Sequence, residues 1–316
     1  MAVTLNGNDI TSKLDKNWAE TVIEDGLRES AVGKLIPNKP MSTNGTKIPI
    51  FEGNTSFGAV DEMGRKPASD ARIRIPVIET QKFAQMIPVS MEAARANPAN
   101  LLENIKAKLK SDVADQVDVA ILHGRSVKSG EKIPGYNAVN DTTNRVTFPA
   151  DNKDLVPSIM SGFELVAANR KARANGFAFD TLVAPRVGSA AVYGQTVNPN
   201  TGQLHTLPDL STNVAMLGGL KTVFNPSVAG AVGGSEGFGV AGFVGDWSKV
   251  YWGYGSRLDI KTFDQASITM PDGSQMNAAE HNFVIIRAEF EIGWLILDTD
   301  AFTAYDAPAA AVTPAA

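Results

Sequence analysis

Arg287, Glu289 and Glu291 alternate within the long β-prone run from Asn282 to Phe302, so they share one face of a strand. Two carboxylates on one face can serve as an acid and a base. With Arg287 in the same row, charge pairing across strands or across subunits accounts for them better. The run Gly233-Gly234-Ser235-Glu236-Gly237-Phe238-Gly239 has the glycine density of a phosphate loop. It lacks the Lys-Ser/Thr ending, opens no helix and precedes a strand, which marks it as a flexible turn. Asp298-Thr299-Asp300 offers two cation ligands without a third nearby and reads as a strand-end turn. Ser161 and Ser189 sit in no G-x-S-x-G elbow. His123, His205 and His281 are scattered and cysteine is absent, so no metal-ligand spacing and no thiol chemistry emerge. His123, in the last turn of a predicted helix, suits the carbonyl end of the helix dipole. The expectation is a protein with no catalytic residues, no metal and no cofactor.

The basic residues divide in a similar way. Arg170, Lys171 and Arg173 fall at the end of a second predicted helix, where cations are favoured. Arg65 and Lys66, with Arg72 and Arg74, fall on a predicted hairpin that has nothing local to dock on, so the acidic surface of a neighbouring copy is the expected partner. A formal charge of -5 and a pI near 5.3 argue against a nucleic-acid footprint over the whole surface. At 43% hydrophobic, 316 residues can bury a real core in one large or two smaller domains. Met1 to Asn6 lacks the basic and apolar regions of a secretory leader, and no window approaches ~18 consecutive apolar residues. A soluble protein made in the cytoplasm, with no membrane partner, is expected.

The elements that would carry these residues can be placed along the chain. An amphipathic stretch from Asn17 to Leu35, with Trp18, Val22, Leu27 and Val32 as apolar members, has little nearby to pack against. Two short runs, Lys47 to Phe51 and Arg72 to Val77, flank a tip rich in Gly, Asp and Pro; a lone two-stranded hairpin is marginal in water. Asn97 as N-cap, Pro98 at the first position and Gly124 as stop bracket a helix. Leu101, Ile105, Leu109, Val113, Val117 and Ile121 form its stripe, and its length is about 39 Å. A second helix is predicted over residues 154–174, a buried strand over 179–184, a short helix from Pro185 to Val192, and strands over 217–224 and 239–244. Further strands are predicted over 249–254, 258–263 and 283–297. The Ala/Pro-rich tail is predicted to be disordered.

This order resembles the major capsid proteins of tailed bacteriophages, whose Hong Kong 97-type fold is an α+β architecture. The resemblance rests on five stretches. Gly58-Ala59-Val60-Asp61-Glu62-Met63-Gly64-Arg65-Lys66-Pro67-Ala68-Ser69-Asp70 is similar to the tip of the family's extended loop. Lys82 to Glu92 resembles the entry to its spine helix. Leu217 to Val223 and Gly245-Asp246-Trp247 resemble the closing strand of its axial domain and the return to its peripheral domain. Arg287-Ala288-Glu289 and Asp300-Ala301-Phe302 resemble its last long strand. The resemblance implies an N-terminal arm (1–45), an extended loop (46–80), and a peripheral domain in two parts (81–153, with the spine helix at 97–123, and 245–306). An axial domain is implied at 154–244 and a disordered tail at 307–316.

It also implies self-assembly into the pentamers and hexamers of an icosahedral shell around double-stranded DNA, which contacts the wall non-specifically. The shell is assembled in the bacterial cytoplasm and ends as the virion capsid. A portal protein and a decoration protein belong to the implied partners. Because the spine begins near residue 97, no room is expected for a fused scaffolding segment, so a separate scaffolding protein is implied. Trp18, Arg65, Lys66, Arg72, Arg74, Arg287, Glu289 and Glu291 are the candidate intersubunit contacts. The alternative is an encapsulin-like nanocompartment shell enclosing a cargo enzyme.

Overall fold

The computed structural model describes residues 29–308, except 43–44, 55–57, 61, 63, 67, 69, 93–97, 151–153, 170, 188–215, 218, 233–236 and 271. A short helix, α1 (Ala31–Leu35), packs on a long one, α2 (Pro98–His123). Helix α2 stops where the sequence places its stop: Gly124 takes φ 64° and its N–H closes on Ala120 O at 2.9 Å. Ile105, Leu109, Val113, Val117 and Ile121 are buried as a stripe. From Val113 to His123 every side chain except that of Asp115 is buried, so the helix enters the protein rather than lying on it. Trp18 and the proposed cap Asn97 lie outside the described residues.

The chain after α1 builds two short ladders. Strand β1 (Thr46–Lys47) pairs with β4 (Val77–Ile78), and β2 (Ile50–Asn54) pairs with β3 (Asp70–Arg74) as the projecting hairpin. Strand β5 (Gln81–Ser90) follows, at a place where the sequence suggests only an entry to the helix. It becomes the edge of a three-stranded antiparallel sheet, order β11-β14-β5, with β11 (Val250–Phe263) and β14 (Phe283–Ile296). The period of two is kept along β14: Ile286, Ala288, Phe290 and Ile292 are buried, while Arg287, Glu289 and Glu291 are half-buried on the other face.

That charged face ends in a trough. Gly253 and Gly293 are cross-strand partners, and chain from outside the sheet lies directly on them. A Cβ on Gly253 would sit 1.6 Å from Lys39 O, and one on Gly293 would sit 2.7 Å from Glu79 O. Residues 39–41 run along β11, with Lys39 N bonded to Trp252 O and Met41 N to Tyr254 O, both at 3.0 Å. Glycine is required here because backbone replaces the side chain. Residues 30–41, which continue a stretch expected to have little nearby to pack against, are therefore seated on their own subunit.

The second sheet has six strands in the order β6-β15-β10-β7-β9-β8: β6 (Arg145–Thr147), β7 (Gly176–Phe179), β8 (Met216–Leu217), β9 (Leu220–Phe224), β10 (Val240–Gly245) and β15 (Phe302–Asp306). Helix α3 (Leu155–Ala168) covers it. Tyr305 is the keystone: its ring stacks on Phe148 at 4.6 Å, its hydroxyl donates to Ile159 O at 2.8 Å, and Gly162 of α3 leaves the space it fills. A small ladder, β12 (Ser267–Thr269) with β13 (Gln275–Asn277), completes the described strands.

Several expectations are corrected. Helix α3 ends at Ala168 because Asn169 folds back, its Oδ1 accepting Lys171 N at 3.1 Å. Lys171 and Arg173 therefore lie beyond the helix, and Arg170 lies outside the described residues. The strand expected over 179–184 lies earlier, at Gly176–Phe179, and Thr181–Val183 is a 3-10 turn closed by Val183 N on Asp180 O. The single run expected over 217–224 is a tight hairpin, with Gly219 at φ 79° turning β8 into β9. The two runs over 249–263 are one strand with irregular register near Ser256.

Replacing Gly253 with Ala is expected to expel the 39–41 segment rather than break the sheet. Overpacking of this kind costs about 1–3 kcal/mol. A lowered urea midpoint, with faster amide exchange at Lys39 and Met41 and unchanged exchange along β14, is the expected result.

Candidate intersubunit surfaces

The hairpin presents two different faces. Phe51 and Ile73 are directly opposite on β2 and β3, and they are 58% and 67% exposed. Ile75 and Val77 extend this apolar surface along the chain. An exposed cross-strand Phe–Ile pair on a two-stranded ribbon has no core beneath it and marks a contact surface. Arg74 lies opposite Ile50 and Arg72 opposite Glu52, on the other face. Arg65 and Lys66 are exposed at the tip. The structure thus brings the four predicted basic residues onto one projecting element, beside an apolar face that the sequence reading did not single out.

The charged row of β14 finds its partners within its own sheet. Glu291 lies 3.6 Å from Lys82 of β5, its register partner. Arg287 Nε lies 3.2 Å from Glu289 Oε1, and its guanidinium sits 5.2 Å from the Phe263 ring centroid. Lys261 and Asp259 of β11 meet at 2.9 Å beside them. Glu291 thus has an ionic partner across strands, whereas Arg287 and Glu289 neighbour each other along one strand.

Beneath these surfaces is a node the sequence reading missed. Asp118 of α2 is 0% exposed, yet it carries a carboxylate. Ser30 Oγ donates to it at 2.5 Å, Ala31 N at 2.8 Å, Val32 N at 2.9 Å and Ser227 Oγ at 2.5 Å. Burial pushes its pKa up, and these donated bonds oppose the shift, beginning with those from Ser227 and Ser30. Helix α1 has only five residues and would not persist alone. It exists because Asp118 satisfies its first N–H groups while Ser30 Oγ accepts Gly33 N at 2.9 Å. Ser227 belongs to the 3-10 turn Pro226–Val228 after β9, and neighbouring Asn225 donates Nδ2 to Glu29 O at 2.7 Å. Lys221 of β9 adds a bond to Lys34 O. The available signal was an acidic residue inside the apolar run Val117-Asp118-Val119-Ala120-Ile121.

The residues considered for chemistry have structural employment. Asp298 accepts Asp300 N at 3.0 Å and Asn169 Nδ2 at 3.1 Å, tying a turn to the end of α3. Ser161 Oγ donates to Ser158 O on the exposed side of α3. Gly237 and Gly239 take positive φ in the turn before β10; residues 233–236 and Ser189 lie outside the described residues. No group of three or more His, Asp or Glu side chains could hold a metal among the described residues. A groove of about 540 Å³ lies between β5 and α2, lined by Phe83, Leu109, Asp112, Asp115 and Gln116 among others. There Asp115 is pushed up to about 6 by burial, then by Asp118 and Asp112.

The family model described as "Phage capsid family" matches residues 14–307 of the chain. The chain is 25% identical over 310 residues to "Probable major capsid protein gp17" of Mycobacterium phage D29, covering 92% of this chain and 89% of that one. It is 23% identical over 300 residues to the protein of the same name from Mycobacterium phage L5, covering 92% and 87%. Among solved structures, a chain of Gordonia phage Cozz aligns with TM-score 0.71 at 23% identity, over 89% of this chain and 87% of that one. A chain of Mycobacterium phage Ogopogo aligns with TM-score 0.67 at 22% identity, over 88% and 92%.

Replacing Asp118 with Ala leaves Ser30, Ala31, Val32 and Ser227 with buried donors and no acceptor. The expected loss is about 3–5 kcal/mol, against about 1–3 for Asp118→Asn, which keeps the shape and one oxygen. Urea unfolding of the unassembled subunit measures both. Limited proteolysis of Asp118→Ala is expected to cut first within residues 29–41.

Proposed function

This chain belongs to the phage capsid family and has its Hong Kong 97-type α+β fold, and from that premise we propose that it is the major capsid protein of a tailed bacteriophage. Copies of it form the virion shell. The observation that carries this reading is the exposed Phe51–Ile73 pair on a hairpin that stands clear of either sheet's core. Covering one such side chain contributes about 1.5–3 kcal/mol, and a closed lattice repeats that contact at every subunit. Curated relatives named as phage major capsid proteins favour the virion over a nanocompartment shell.

The finer assignment follows the same logic. The three-stranded sheet with α2 acts as the peripheral domain, and the six-stranded sheet with α3 acts as the axial domain around which pentamers and hexamers close. The six-stranded sheet borrows β6 and β15 from outside residues 154–244, which ties the two units together at both crossings. Arg65 and Lys66 at the hairpin tip meet an acidic surface of the neighbouring copy. The overall charge of -5 keeps packaged DNA from adhering to the wall. A separate scaffolding protein, a portal and an external decoration protein complete the set of partners, with assembly in the host cytoplasm.

Electron microscopy of the high-mass fraction, from the chain expressed alone and with the scaffolding protein of its locus, tests the reading. Closed particles or capsomer sheets and tubes are expected; a protein that stays monomeric under both conditions overturns it. Reversing both tip charges (R65E with K66E) is expected to abolish or weaken assembly while the subunit's urea midpoint stays within about 0.5 kcal/mol of the parent. Because residues 30–41 are seated on their own subunit, the truncation that probes the arm ends at residue 28. Subunits lacking residues 1–28 are expected to fold and to fail to close shells, and normal particles from them would remove the arm from the account.

A further inference from the structure

At its C-terminal end α2 delivers His123 into the six-stranded unit. The side chain is 3% exposed, and Nε2 lies 2.9 Å from Val228 O. A carbonyl can only accept, so Nε2 carries the proton and the neutral ring leaves Nδ1 as an acceptor. That Nδ1 is buried and has no hydrogen-bond partner. The ring packs 4.7 Å from Phe238 and meets Phe243 of β10 edge-on at 5.6 Å. Five positions earlier, Asp118 holds Ser227. Two side chains of α2 therefore grip consecutive residues of the same 3-10 turn, and one of them sits in a pocket built for an uncharged ring.

The charges around the pocket make protonation unfavourable. Arg125, just past the helix, lays its guanidinium 5.1 Å from the Phe238 centroid, and Arg145 of β6 bears on the ring as well. The turn Pro226–Val228 and strand β10 carry no titratable side chain. Asp141, in the 3-10 turn Val139–Asp141 that packs on α2, is held by Lys132 at 2.7 Å. Asp118 is committed to its four donors. An imidazolium here would gain a second N–H with no acceptor, beside Arg125 and an Arg145 that is itself paired with Asp306 of β15 at 2.5 Å, and with no free anion among these groups.

We infer that His123 is a proton-sensitive joint between the spine helix and the six-stranded unit: the buried neutral ring holds Val228 to α2, and a proton arriving at Nδ1 charges a ring that has no acceptor for its second N–H there, so the ring leaves the pocket and the hold on Val228 goes with it. Burial lowers the ring's pKa to about 4, the Val228 bond opposes this, and Arg125 and Arg145 reinforce it. The unfolded chain titrates near 6.5. The stabilisation is thus complete above about pH 6.5 and is lost as pH falls toward 4. The inference rests on subunit geometry and does not depend on the shell reading.

The experiment uses the full-length subunit and the variant His123→Gln, which keeps a donor for Val228 but cannot charge. Urea midpoints between pH 7.5 and 4.5 are expected to show the parent losing roughly 70-fold more in its folding equilibrium than the variant. Protection factors at residues 227–230, with the intrinsic pH dependence of amide exchange divided out, are expected to fall with acid in the parent and not in the variant, which separates a local joint from general acid unfolding. Parallel profiles for the two proteins would overturn the inference. Should the variant not fold, the rate of side-chain C2–H exchange at the three histidines of the parent decides. A His123 midpoint near 4 supports the joint, and a midpoint near 6.5 refutes it.

Discussion

A carboxylate taken out of water must be given donors, and in this subunit that requirement fixes how three distant segments meet. Asp118 is fully buried in the C-terminal part of the spine helix, and its donors come from residues 30–32 and from Ser227. The bond partners are 86 to 109 positions away in sequence. Without them, an ionised side chain in this setting would cost several kcal/mol, and with them it determines where α1 begins and where β9 ends. The glycine trough continues the same trajectory. Once α1 is capped on the spine, the chain runs on through Lys39 and Met41 over Gly253 and Gly293 and delivers the hairpin to the outside.

The result is a division between a finished body and an unfinished projection. Inside, Tyr305, Phe148, Phe179 and Gly162 close the six-stranded sheet against α3 with stacked rings and a shared hydroxyl bond. The row Arg287, Glu289 and Glu291 has ionic neighbours within its own sheet, Lys82 beside Glu291 and Glu289 beside Arg287. The hairpin is different in kind: its Phe51–Ile73 pair remains exposed, and its tip carries Arg65 and Lys66. The body is closed by its own contacts, while the hairpin leaves an apolar pair and basic residues at the surface.

Features whose causes are local were legible in the sequence. Helix α2 was readable because its stripe and its stop at Gly124 are all short-range. The parity of β14 was readable because its alternation is strict. Strands β6 and β15 were not, because each has only three to five residues and is a strand by virtue of its partner. Helix α3 was read too long because the fold-back of Asn169 outweighs the helical propensity that follows. Asp118 was passed over for a related reason: a single acid within an apolar run is ordinary until its four donors are in view. The same holds for His123, whose place at a helix end suggested a cation, whereas its pocket accepts only the neutral ring.

Amide hydrogen exchange, compared between the unassembled subunit and the assembled particle, addresses the central claim of a preformed body with an incomplete projection. The account predicts that Ala31, Val32 and Ser227 are protected to the level of the α2 core in both states. It further predicts that Gly64 to Lys66 and the residues around Ile73 exchange freely in the subunit and slow sharply on assembly. If Ala31 and Val32 exchange as fast as the hairpin tip before assembly, the Asp118 node does not hold the subunit together and the account fails.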